Sequence, residues 1–185
     1  MMTDVAKLLG HNFRALAEAG CTQIQIDEPM FTMGDEDEVA AAVEAINLAI
    51  ADLPKTVCVS MHICQGNYAV GKEYDGQIGH RYFDVGRYKA DLITKIECTA
   101  LLVEYDMAHH YEGHLGDKQL GIGAVDVHDP KIETGEAVAD RVRAQTWLDR
   151  EQTLITSTCG FNHLPRATAF GKLMSMAAAK RILSR

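Results

Sequence analysis

The sequence predicts an α/β fold built on a parallel sheet, and three observations predict it. Short apolar runs alternate along the chain with stretches of helical periodicity. The runs are apolar enough to be buried on both faces, as the strands of a parallel sheet are. Polar side chains gather at the C-terminal end of each run: Asp27 and Glu28, His62 and Cys64, Glu104 and Asp106, His128, and Cys159. Strands joined by crossover helices bring all those ends to one edge. A parallel (β/α) barrel of TIM type and an open doubly wound sheet both bind ligands there. Five strands with converging ligands fit the barrel better, because curvature draws separate strand ends together.

Residues 3–19 carry Val5, Leu8, Leu9, Phe13 and Leu16 near helical spacing, with Thr3 or Asp4 to cap the start and Gly20 to end it. Residues 21–29 alternate as a strand and stop at Asp27-Glu28-Pro29. Residues 35–51 read as a helix whose first turn is crowded with Asp35, Glu36, Asp37 and Glu38, where the dipole favours anions. The second strand is 56–63. A long glycine-rich stretch follows over 65–80, with Tyr68 and Tyr74, as binding loops at strand ends often are. Residues 82–97 read as a helix, 99–106 as a strand, 120–130 as a strand and 134–149 as a helix burying Val138, Val142 and Trp147. Residues 152–160 form the fifth strand, and 166–184 close the chain as a helix. Nothing marks a linker, so residues 1–185 are expected to form a single domain.

Bulk properties exclude several classes. The 185 residues suffice for one full core, and 47% apolar with 24% charged residues is ordinary for a globular protein. A net charge of −8 with scattered basic residues argues against nucleic acid as partner. No apolar run approaches the ~18 residues that span a bilayer, and no basic-then-apolar leader opens the chain. Five cysteines at irregular spacing read as reduced thiols, so a cytoplasmic setting is expected. Cys21, Cys58 and Cys98 read as small buried apolar residues. His109, His110 and His114 lie in a polar, glycine-containing stretch and read as a solvated loop.

His62 and Cys64 are separated by one residue, so both leave the same face of a strand. With Glu104 and Cys159 at other strand ends they make a set of one imidazole, two thiolates and one carboxylate. Zinc accepts all three donor types in tetrahedral geometry. The two thiolates disfavour magnesium and calcium. A carboxylate among soft donors marks a position that substrate could take over.

The order Ile26-Asp27-Glu28-Pro29, His62-Ile63-Cys64, Val103-Glu104-Tyr105-Asp106, Val125-Asp126-Val127-His128-Asp129-Pro130 and Cys159-Gly160 resembles the catalytic barrel of the cobalamin-independent methionine synthase superfamily. That superfamily includes the zinc-dependent epoxyalkane:coenzyme M transferases. The resemblance implies that His62, Cys64, Glu104 and Cys159 bind zinc. It also implies that Asp27 holds the amino group of a homocysteine-like acceptor and that His128 assists proton movement during methyl transfer. It further implies an eight-stranded barrel of which this chain holds the fourth to the eighth strand, lacking the first three. Self-association, or a second chain supplying the remainder, is then expected. Met33 stands where the long enzymes carry a folate-contacting glutamate, and Gln65-Gly66-Asn67 resembles the shorter relatives, so the donor stays open. Three activities remain: methyl or alkyl transfer to a thiol, transfer or lyase chemistry on coenzyme M-type thiols, and a non-catalytic zinc-binding assembly role.

Overall fold

The computed structural model describes residues 2–29, 31, 34–64 and 89–185. The long stretch over 65–80, the start of the expected helix over 82–97, and Met33 lie outside the described residues. The order of elements is α1 (Met2–Glu18), β1 (Gln23–Glu28), α2 (Glu36–Ile50), β2 (Cys58–Ile63), α3 (Ala90–Ile93), β3 (Ala100–Glu104), β4 (Gln119–Val125), α4 (Gly135–Arg143), β5 (Thr153–Ser157) and α5 (Arg166–Leu183).

All four strand pairs are parallel and the strand order is β1-β2-β3-β4-β5. An order without reversal separates the two architectures that the sequence left open. A doubly wound sheet must turn back at a switch point. Here every crossover advances one strand in the same direction, which is how a barrel wall is built. The fold is a partial (β/α) barrel.

The alternation of side chains divides the sheet into two faces. Ile24, Val59, Met61, Ile63, Leu101, Val103, Leu120 and Ile122 are buried in one core with Val39, Val43 and Ile50 of α2 and Val138 and Val142 of α4. The other face carries Gln25, Ser60, His62, Leu102 and Thr156, which line its cavities. Burial on both sides holds for β3 and most of β4. It does not hold for the outer strands: β5 is half-buried throughout, and Gln23 and Gln25 of β1 are exposed.

Local signals explain several boundaries. The acidic run at residues 35–38 is a capping box. Glu38 N–H donates to Asp35 Oδ1 and Asp35 N–H donates to Glu38 Oε2, both at 3.0 Å. Helix α1 begins at Met2, so Asp4 sits inside its first turn rather than capping it. The fourth strand ends at Val125, not Pro130. Its pairing with β5 shifts register between Gly123 and Val125, an irregularity just before the last pair of the ladder, Val125 with Ser157. Helix α4, capped by Thr134, ends at Arg143, which leaves Trp147 beyond the helix though still packed against the core. Cys98 is buried as expected, whereas Cys21 and Cys58 are only half-buried. Residues Ala108–Tyr111 form a 3-10 turn that buries Ala108 and Tyr111 and leaves His109 outside.

Candidate metal centre

Strand register places the site. Asp27 of β1 pairs with His62 of β2, and His62 pairs with Leu102 of β3. Residues in register on adjacent strands point the same way, so Asp27 and His62 are neighbours on the cavity side. Two residues beyond these positions come Cys64 and Glu104. Cys159 arrives from the turn after β5.

His62, Cys64 and Cys159 converge: one ligand atom from each lies within 4.8 Å of the others. Among the described residues this is the one such group of histidine, cysteine and acidic side chains. The two sulfurs are 3.6 Å apart. His62 is 5% exposed, and its Nε2 is buried without a hydrogen-bond partner among the described residues. Buried polar atoms are nearly always satisfied, so an orphaned imidazole nitrogen beside two thiols fits a metal ion. Glu104 stands outside this three-residue cluster. It is 5% exposed and close enough to interact electrostatically with Cys64 and His128.

The electrostatics are those of a site built for a cation. Burial pushes the Glu104 carboxyl up to about 8, helped by Asp106, Asp126 and Cys64 and opposed by His128. Cys159 is pushed far up by its contact with Cys64 and by burial. Burial alone would lower the His62 pKa, but Cys64, Asp27 and Glu104 outweigh it and raise it. Negative groups crowded out of water hold protons until a cation replaces them.

The surroundings are specific. Gln25 Nε2 donates to Asp27 Oδ1 at 2.9 Å. Glu28 turns away to accept the Phe31 N–H, so only Asp27 of the acidic pair faces the site. A pocket of about 370 Å³ is lined by Gln25, Asp27, His62, Cys159, Phe161 and Met176. That volume suits a small ligand. His128 is 4% exposed, and its Nδ1 lies 3.2 Å from Asp126 Oδ1. Its ring faces that of His163, with centroids 6.4 Å apart.

The sequence reading did not single out Gln25, Thr158, His163, Glu133 or Lys172. One signal was present for Lys172: it shares a helical stripe with Ser175 and Ala179, the buried face of α5. Gln25 lies two residues before Asp27 on β1 and shares its face by strand alternation, whereas Thr158, His163 and Glu133 act through loop conformations that no periodicity encodes.

Fold and site together define the class: a (β/α) barrel wall with a candidate metal centre of one imidazole and two thiols at the C-terminal edge of its strands. Residues 1–181 match the family described as the catalytic domain of cobalamin-independent synthase, and the chain belongs to that family. It is 33% identical to methionine synthase of Pyrococcus abyssi, over 97% of this chain and 48% of the relative. It is equally similar to methionine synthase of Saccharolobus solfataricus, over 99% of this chain and 51% of the relative. The chain thus spans about half the length of these relatives. Among solved structures it is similar to a B12-independent methionine synthase from Shewanella sp. W3-18-1 in complex with selenomethionine. There the TM-score is 0.82 at 25% identity, covering 98% of this chain and 54% of the other. A putative vitamin-B12-independent methionine synthase from Listeria monocytogenes shares the fold, with a TM-score of 0.72 over 98% of this chain and 54% of the other. No helix among the described residues is long and apolar enough to cross a membrane.

Proposed function

We propose that this chain is a zinc-dependent transferase that moves a methyl or alkyl group to a thiol acceptor. The observation that carries the reading is the meeting of His62, Cys64 and Cys159, with the two sulfurs 3.6 Å apart beside an imidazole whose buried Nε2 has no hydrogen-bond partner among the described residues. Two sulfurs and a histidine suit zinc better than hard cations. Similarity to the methionine synthases supports the same chemistry and suggests a homocysteine-type acceptor.

When bound, zinc supplies Lewis acidity that holds a thiol as its thiolate near neutral pH. His62, Cys64 and Cys159 would hold the ion, and Glu104 would occupy the position that the acceptor sulfur takes. Asp27, steadied by Gln25, offers a carboxylate to the acceptor's ammonium group. The acceptor sulfur attacks the methyl or alkyl carbon, so that the S–C bond forms as the bond from that carbon to the donor breaks and its electron pair leaves with the donor. His128 supplies a proton to the leaving group. Asp126 orients His128 through Nδ1.

The test is a thiol-alkylation assay on the zinc-loaded protein with a methyl donor. Cys64→Ala and Cys159→Ala are expected to abolish turnover, and unchanged turnover in both would overturn the reading. Asp27→Asn is expected to weaken homocysteine and leave an acceptor without an amino group, such as a coenzyme M-type thiol, unaffected.

A second reading is an assembly role, in which the chain completes a barrel with a second copy or another polypeptide. It is favoured by the half-exposed outer strands β1 and β5 and by a cavity of about 1020 Å³ reaching Ser60, Leu102 and Thr156. Light scattering on the purified chain tests it. A stable, well-folded monomer excludes self-association.

A further inference from the structure

Strand β4 ends at Val125, yet the three residues after it are held as closely as a ladder would hold them. The Asp126 N–H donates to Glu133 Oε1 at 2.8 Å, and its carbonyl accepts from Lys172 Nζ at 2.8 Å. The Val127 N–H donates to Thr158 Oγ1 at 3.1 Å, and its carbonyl accepts from His163 Nε2 at 2.8 Å. The His128 N–H donates to Asp126 Oδ1 at 2.8 Å. Side chains therefore replace strand partners along the segment that delivers His128. Thr158 immediately precedes Cys159, so the same bonds tie the two loops together.

Lys172 anchors this arrangement from α5. It is 0% exposed, and its ammonium donates to three acceptors: Asp126 O, Lys131 O at 2.6 Å and Glu133 Oε2 at 2.8 Å. All three of its protons are used. Glu133 also receives Arg141 Nη1 at 3.3 Å, and Arg141 donates to Ala124 O at 2.6 Å. A buried ion pair adds little net stability over apolar residues of the same shape. What apolar residues could not do is grip both backbone groups of one residue outside the sheet. Here the pair does so at Asp126, the residue whose carboxylate lies 3.2 Å from His128 Nδ1.

We propose that Lys172, paired with Glu133, is a positioning residue for the His128 imidazole. The pair fixes Asp126, and Asp126 keeps a proton on Nδ1, so the proton that the ring exchanges is carried on Nε2. The inference rests on the reading of His128 as the group that handles the proton.

The full chain carrying one zinc tests it by 15N NMR of the histidine rings, which reads the His128 tautomer without reference to activity. Lys172→Met is expected to replace the single Nδ1–H tautomer with an average of both. Zinc stoichiometry should stay unchanged, and turnover should fall by about tenfold or more at unaltered KM for the thiol. If Lys172→Met does not fold, because Glu133 loses one of its two cationic partners, Lys172→Met combined with Glu133→Met removes both members of the pair and is read in the same way. A folded variant of either kind that keeps the wild-type His128 tautomer overturns the proposal. His128→Asn separates the two readings: full turnover there removes His128 from the reaction, while the ring spectra still decide the role of Lys172.

Discussion

Cys64 Sγ lies 3.6 Å from Cys159 Sγ although 95 residues separate them, and neither is in a disulfide. Two thiols at that distance, with His62 beside them, set a stoichiometry. One soft dication per chain is expected, and X-ray absorption should count two sulfur neighbours. Cys64→Ser or Cys159→Ser should reduce that count to one. A variant that keeps two sulfurs at full affinity would show that the metal sits elsewhere.

The same residues make metal removal a stability experiment. An ion bound only by the folded chain stabilises it by about 2.7 kcal/mol at a hundredfold excess over its dissociation constant. Calorimetry should show a higher Tm with zinc than after chelation. The difference should vanish in His62→Ala, and a persisting difference in that variant would count against the site.

Glu104 predicts a pH dependence for the metal-free chain. Burial raises its carboxyl from 4.5 to about 8. The folded state therefore keeps a proton that the unfolded state has already released. Stability falls as pH climbs through that interval, because the native chain binds the extra proton. Urea unfolding across pH 5 to 8 reads the slope. Glu104→Gln should flatten it, and an identical slope in the variant would mean that the proton belongs to another group.

Gly123 shows how closely the site is built. A Cβ there would meet Val103 O at 2.8 Å, Thr158 Cα at 3.0 Å and Glu104 Cα at 3.1 Å. All three are backbone atoms, which cannot rotate away. Gly123→Ala is expected to cost about 1–3 kcal/mol and to weaken metal binding, because it pushes strand β3, which ends at Glu104, away from the turn that carries Cys159. Denaturant midpoints and metal titration measure both, and an unaltered midpoint would refute the packing argument.

The Asp35–Glu38 capping box lies far along the sequence from the metal residues and serves as a contrast. Asp35→Ala should cost about 1 kcal/mol with no effect on metal affinity. A change in affinity would show that α2 and the site are coupled.

Much of the architecture was readable before any coordinates. His62 and Cys64 share a face because strand side chains alternate, and two positions are enough to see it. The acidic run at residues 35–38 identified a helix start through local charge alone. Five strands emerged from apolar runs, though the fourth was read too long. Val127 continues the apolar pattern after the ladder has ended: its own N–H is satisfied by Thr158, and the backbone groups of Asp126 by Glu133 and Lys172, instead of by a strand.

What the sequence determined by itself is therefore what a few neighbouring residues encode: alternation, helical stripes, caps, and the chemistry available at each strand end. The tertiary structure decided which ends meet. It brought Cys159 to Cys64 while leaving Glu104 just outside the three-residue cluster, and it buried a lysine behind the loop that carries His128. The physical reason is range. Backbone periodicity is set within a turn or a pleat, whereas the meeting of distant side chains depends on strand order, register and curvature summed over the whole sheet.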